Sequence, residues 1–432
     1  MPSPRRAAVG ILCLHGLLQG LLGWLYCAGG GKGLVGDEQT YRAAAEAMAT
    51  TGRLALDPLW PPLYPWLLSR LYLLPGDPLV WTLVLQALAV PAIVWLWWRL
   101  GERLTGSASV AALGATGLLL YPPLVAYGHF LWPEILHLLL LSLALWLLTA
   151  AGATWRSALA AGALLGLALG AKALLLGFLP VLVLLPARAE GSRPWPSLIA
   201  LAAAVALLAS PWTPWARAHS SPAVAGSLEF NLRLGIDREV GRERSGEAAW
   251  RLFQAMEKAE ARGTGRRAFL RRQLADELAE RGPWSIARDQ LQRQYFRLLD
   301  HRTFFHDQLP TGPRQGPERG YQGVPSAVGA ALRVGSSAIY LLILTLTPLG
   351  LLAWRRRGQG RWWLVPAFLV YNFLLFFALY AISRYRIQML PFLTLTAALG
   401  GAELKRGMTA LPAWEKAIAL AGAVLLLYLA LG

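Results

Sequence analysis

Charge is scarce in this chain. Of its 432 residues only 15% are Asp, Glu, Lys or Arg, while 56% are hydrophobic, too polar-poor a balance for an ordinary soluble protein. Cysteine is nearly absent: Cys13 and Cys27 both lie in the first apolar run. On one helix, about 14 residues at about 1.5 Å each hold them roughly 21 Å apart, which excludes a disulfide between them. No Cys/His zinc spacing and no internal repeat occur, which excludes a zinc module and a solenoid. No small-x-small cleavage site precedes the polar stretch that begins near residue 29, so MPSPRR and the apolar run behind it read as a retained signal-anchor.

Apolar sequence fills the chain in blocks. Runs long enough to span a bilayer occupy 8–28, 78–98, 107–127, 131–150, 157–171, 172–186, 197–215, 332–354, 362–382, 387–402 and 411–431. The expected fold class is an all-α polytopic membrane protein of about eleven transmembrane helices. The net charge of +17 comes from short basic clusters between these runs, a pattern of topology signals and phosphate contacts rather than of a nucleic-acid surface. With the N-terminus inside, Arg5/Arg6, Arg99/Arg103, Arg156, Arg188/Arg193, Arg355/Arg356/Arg357/Arg361 and Lys405/Arg406 all fall on the cytoplasmic side. Residues 29–77, the turn from His129 to Glu134, the segment 216–331 and the turn Ser383–Arg386 then share the external side.

This divides the chain into an N-terminal membrane module (1–215) whose first external loop (29–77) carries the chemistry, an external cap (216–331) and C-terminal membrane helices (332–432). Within the cap, Trp284, Ala287, Leu291, Tyr295 and Leu298 recur at helical spacing behind Pro283, giving one apolar stripe on a helix. Phe269, Leu270 and Leu274 mark a second amphipathic helix. The proline- and glycine-rich segment 307–325 reads as a flexible loop able to move over a substrate. His301, His306 and Asp307 inside this region read as a solvated cluster.

The first external loop opens with Asp37 and Glu38. Asp37 and Tyr41 share a helical face, and Glu38, Arg42 and Glu46 follow at i, i+4 and i+8. One reading is structural, with Asp37 capping the helix and Glu38 paired to Arg42. The sequel Trp60-Pro61-Pro62-Leu63-Tyr64-Pro65-Trp66 favours another: a rigid aromatic re-entry suited to the lipid–water boundary.

Here the chain resembles the GT-C membrane glycosyltransferases that use polyprenyl-phosphate sugars, among them the protein O-mannosyltransferases and the aminoarabinose transferase of lipid A. Members carry an Asp-Glu pair, a Tyr on a small-residue helix and then Pro-Pro-Leu-Tyr in the first external loop; the matching residues are Asp37, Glu38, Tyr41 and Pro61 to Tyr64. Glu134 at the mouth of a span, GLALGAKALLLGFLP around Lys172, SPWTPWARAH, FNLRLGID from Phe230 and SRYRIQMLPF from Ser383 continue the likeness in order along the chain. The chain departs from it at Trp60, where several relatives place a lysine that faces the lipid phosphate.

The resemblance implies inverting transfer of a sugar from a polyprenyl-phosphate donor to a lipid, glycan or protein acceptor. The site would face the periplasm or exterior of a bacterial inner or plasma membrane, among membrane lipids and without nucleic acid. The residues meet that chemistry. An acceptor hydroxyl needs a base, for which Asp37 is the choice, with Glu38 positioning acceptor or helix. A departing phosphate needs cations, supplied by Arg384 and Arg386, with Lys172 a further candidate or a lysine snorkelling to the interface. Tyr41, Tyr64 and Glu134 are the supporting set. Glu134 and His137, one turn apart, either bind a divalent metal or serve separately, Glu134 orienting the site and His137 packing in the bundle. Two other classes compete. A flippase of lipid-linked sugars calls for ionisable residues deep within spans, whereas charges here gather at span ends. A glycan polymerase or ligase calls for lipid-diphosphate donors.

Overall fold

The computed structural model describes residues 4–28, 33–34, 36–57, 59–150, 154–182, 195–209, 227–237, 245–310, 321, 323–357, 363–408 and 411–431. Among them every regular element is helical. In chain order these are α1 (Pro4–Ala28), α2 (Asp37–Thr51), α3 (Leu63–Leu71), α4 (Pro78–Thr105), α5 (Ala108–Leu119), α6 (Pro122–Tyr127), α7 (Glu134–Leu148), α8 (Trp155–Ala171) and α9 (Trp195–Ala209). They continue with α10 (Leu228–Ile236), α11 (Ser245–Ala261), α12 (Arg266–Arg281), α13 (Pro283–Leu299), α14 (Phe304–Gln308), α15 (Ser326–Arg357), α16 (Leu364–Ala378), α17 (Leu390–Lys405) and α18 (Ala413–Leu431). Short 3₁₀ turns occupy Ala173–Phe178 and Ser383–Gln388. The basic residues Arg188, Arg193 and Arg361, the SPWTPWARAH stretch and most of the 307–325 loop lie outside the described residues.

The predicted spans fall on helices, except that 172–186 is described only as the short apolar stretch Ala173–Leu182, which opens with a 3₁₀ turn. Among the described residues four helical stretches are long and apolar enough to cross a membrane, Arg6–Trp24, Pro78–Thr105, Ser326–Arg356 and Ala413–Leu431. The expected span 107–127 is broken, because Pro122 and Pro123 end one helix and start the next: α5 stops at Leu119 and α6 begins at Pro122. Local signals set other boundaries. Asp77 accepts a hydrogen bond from the Leu79 N–H at the start of α4, with Pro78 in its first turn, and Gly106 closes α4 in the left-handed conformation. Deep in the bundle α15 and α17 cross with backbone nearly touching backbone. A Cβ at Gly350 would overlap the Thr396 carbonyl, and one at Gly400 the Leu346 carbonyl, the close approach that small residues permit between membrane helices.

The segment 216–331 forms helices α10 to α14, two of them, α12 and α13, where periodicity predicts helix. Leu270 is buried, and Phe269 packs beside it. The apolar stripe of α13 is not its buried face. Trp284 is 86% and Leu291 53% exposed, while Ile286, Gln290, Gln294 and Leu298 face inward. The cause is unpaired backbone beneath the helix. Gln294 donates to the Gly235 carbonyl at 2.7 Å and accepts from the Ala381 N–H at 2.9 Å, and buried polar backbone outranks apolar side chains in its demand for partners. The His301/His306 cluster is not a solvated one either. His306 is 3% exposed, and its Nδ1 accepts from the Thr303 N–H at 3.0 Å to cap α14, while His301 bonds Ser337 at 2.9 Å.

Candidate active site

The site begins with α2, whose first residue is Asp37. No side chain caps this helix, so Asp37 is not spent as a cap; its two oxygens serve tertiary partners. Oδ2 accepts from Arg384 Nη1 at 2.8 Å and Oδ1 from Trp60 Nε1 at 3.2 Å. The departure at Trp60 thus has a physical role, an indole N–H on the carboxylate. The Trp60 ring also meets Phe253 of α11 edge-on at 6.0 Å.

Arg384 comes from the 3₁₀ turn before α17, far along the chain. It donates from Nε to Glu134 Oε1, and the same oxygen accepts from Lys172 Nζ at 2.7 Å. Trp132 lies under the guanidinium at 4.3 Å and Tyr385 under the Lys172 ammonium at 4.7 Å. Asp37, Glu134, Lys172 and Arg384 therefore form one charge-balanced cluster built by α2, α7, the end of α8 and the Ser383–Gln388 turn. Burial opposes the charge on Arg384, but the Glu134 and Asp37 carboxylates reverse this and hold its proton more tightly than usual.

Exposure separates the acids by task. The Asp37 side chain is 32% exposed and that of Glu134 0%, so Asp37 can meet a substrate and Glu134 can only hold the cations. Glu38 is fully buried, its Oε1 accepting from the Leu131 N–H at 2.8 Å, which ties α2 to the turn that leads into Trp132 and Glu134. Tyr41 packs edge-on against Tyr64 at 5.3 Å. Burial first, and the Asp37 charge second, push the Tyr41 hydroxyl well above its ordinary pKa. Tyr64 donates to Gln86 at 2.8 Å, and the Gln86 amide reaches the carbonyls of Gly128 and Phe130 at 3.1 and 2.9 Å. Tyr64 on α3 thus supports α2 through Tyr41.

Two expected site residues lie elsewhere. Arg386 is 3% exposed; its Nη1 donates to the carbonyls of Leu298 and Asp300, its Nη2 to the Tyr121 hydroxyl at 3.1 Å, and the Tyr340 ring covers it at 3.9 Å. With about three residues per turn, side chains two apart on a 3₁₀ turn diverge, so Arg384 and Arg386 cannot address one phosphate side by side. His137 turns Nδ1 to the Ala168 carbonyl at 3.1 Å, while Glu134 already serves two cations. Among the described residues no group of three or more His, Cys, Asp or Glu could hold a metal ion. A groove of about 150 Å³, lined by residues including Arg42, Glu46, Tyr72, Asp77 and Leu131, opens on the opposite side of α2, because Arg42 and Glu46 lie about half a helical turn from Asp37. Sequence reasoning missed Trp132, Gln86 and Tyr385. Only the position of Trp132 two residues before Glu134 carried a signal.

Residues 60–215 match the family model described as dolichyl-phosphate-mannose-protein mannosyltransferase. The GT-C resemblance holds. The matched segment is less than half of the chain; it contains Tyr64, Glu134 and Lys172 of the cluster described above, while Asp37 and Arg384 lie outside it. No curated protein matches the chain in sequence. One similar solved structure is the archaeal oligosaccharyltransferase AglB from Archaeoglobus fulgidus in complex with an inhibitory peptide and a dolichol-phosphate. It is 14% identical with a TM-score of 0.49, over 98% of this chain and 54% of that one. The present chain thus spans about half the length of that protein.

Proposed function

We propose that the protein is an inverting glycosyltransferase that moves a sugar from a polyprenyl-phosphate carrier to a hydroxyl of a lipid, glycan or protein at the external membrane face. The observation that carries this reading is the bond between Arg384 and Asp37, a cation and a partly exposed carboxylate 2.8 Å apart. Together they offer the two groups a single displacement at C1 requires. The acceptor oxygen attacks C1 and gives its proton to Asp37; the C1–O bond to the carrier breaks, and the phosphate leaves with the electron pair. Arg384, backed by Lys172, balances that charge, with the Trp132 and Tyr385 rings against the two cations. One displacement inverts the anomeric centre. In this reading the site joins the two membrane modules, 1–215 and 332–432, beneath the external cap 216–331, in a bacterial inner or plasma membrane with this face outward.

Purified protein in detergent, where translocation has no meaning, is expected to consume a polyprenyl-monophosphate sugar in the presence of a hydroxyl acceptor. Stable protein that leaves every such donor intact defeats the transferase reading, and turnover of diphosphate donors alone moves it to the ligase class. Trp60 gives a graded test. Trp60→Phe keeps a ring against Phe253 and removes the N–H from Asp37. Loss of one partly exposed hydrogen bond, about 0.7–1.4 kcal/mol, is expected to slow transfer about 3- to 10-fold. Unchanged turnover in the same donor assay would show that the indole does not tune Asp37.

A further inference from the structure

Among the described residues the outward face of α13 from Trp284 to Leu291 has no partner, although it carries the most exposed tryptophan of them. Trp284 (86%) and Leu291 (53%) lie on it with the exposed Arg288 between them. Tyr295, one turn beyond Leu291 on the same stripe, leads directly to membrane-spanning helices. Its hydroxyl donates to the Phe373 carbonyl at 3.1 Å, and its ring lies 5.6 Å from Phe373 and 6.4 Å from Phe377 of α16. Phe296 meets Tyr428 of α18 edge-on at 5.2 Å. Phe373 stands five residues before the outer end of α16 at Ala378, so Tyr295 reaches about 7 Å below that end.

The surfaces on either side are lipid-facing. Val370 (56%) and Leu374 (65%) are exposed on α16, as are Val424 (58%), Leu425 (55%) and Tyr428 (63%) on α18. Tyr428 both touches α13 and belongs to this exposed band, so the apolar surface runs unbroken from the two spans onto the cap helix. We propose that α13 is an interfacial helix seated in the outer leaflet, with Trp284 and Leu291 among the acyl-chain and headgroup boundary and Arg288 reaching lipid phosphates. The composition fits: an indole suits the headgroup level, an aliphatic side chain the acyl boundary, and a guanidinium between them can snorkel outward. The inward face gives the seat a consequence. Gln294 holds the Ala381 N–H, three residues before Arg384, and the Leu298 and Asp300 carbonyls hold Arg386. One helix therefore touches lipid on one side and braces the Arg384 turn on the other.

The test does not depend on the transferase reading. Full-length protein with Cys13→Ser and Cys27→Ser is placed in phospholipid nanodiscs and spin-labelled at Trp284→Cys or Leu291→Cys, with Glu280→Cys on α12 as the aqueous control. Collisions with oxygen, which partitions into lipid, are compared with those of a water-soluble nickel chelate. The expected result is an oxygen-to-nickel ratio at 284 and 291 several-fold above that at 280. Ratios equal to the control would put the face in water. Shielding from both reagents would put a protein partner there, and either outcome overturns the proposal.

Discussion

Replacing Arg384 with alanine is expected to lower the rate constant for sugar transfer by about 10²- to 10³-fold, the usual cost of removing one preorganised donor to a developing anion. The geometry explains why this residue should matter more than the other cations. Arg384 is the only one of the three proposed phosphate ligands that contacts both Asp37 and Glu134. Lys172 stands behind it on Glu134, and Arg386 is consumed by carbonyls of the 298–300 segment. The substitution also leaves Asp37 and Glu134 each short of a charged partner. Breaking a buried pair by removing one member costs about 3–5 kcal/mol, so the unfolding temperature should fall as well. Arg384→Lys separates the two effects. It keeps the charge, and with it most of the stability, but an ammonium is a point charge on a flexible stem and cannot bridge two carboxylates while presenting a planar fork to phosphate. Lysine should therefore recover the unfolding temperature more fully than the turnover. Equal recovery of both would make Arg384 a structural strut and remove it from the chemistry. By the same logic Arg386→Lys should act on stability first.

Most of the architecture was legible because the membrane imposes it. Apolar runs of bilayer length must become helices, since only there are all backbone groups satisfied within the segment. The Asp37, Glu134 and Lys172 positions were legible for a related reason, because charge at a span mouth is costly unless it has work or a partner. What was not legible depended on contacts between distant segments. The glutamines of α13 displaced its apolar stripe from the core because the chain around Gly235 and Ala381 needed donors and acceptors that no local pattern announces. Arg384 and Arg386 read as a pair until the tight turn that carries them set their side chains apart. His306 read as solvated until Thr303 placed it inside a capping box. Trp60 looked only like a missing lysine; its bond to Asp37 spans 23 residues and could be found only in three dimensions.

Replacing Asp37 with asparagine should lower transfer by about 10²- to 10⁴-fold, the range for loss of a positioned general base. Shape is nearly kept and the fold has little reason to change, because Glu134 still holds Arg384 and the Tyr41–Tyr64 contact is untouched. In the resting site Arg384 sits on Asp37 Oδ2. A donor phosphate would compete for the same guanidinium, so seating the donor would free that carboxylate oxygen to meet the acceptor proton. Asparagine should consequently depress kcat far more than it changes the KM for donor. The deficit should also depend on the acceptor. An alcohol made more acidic by electron-withdrawing substituents needs less help in losing its proton, so the penalty of Asp37→Asn should shrink as acceptor acidity rises. A penalty that is the same for every acceptor, or one that appears wholly in donor KM, would mean that Asp37 acts only by holding Arg384 in place, and the base would have to be sought among other groups.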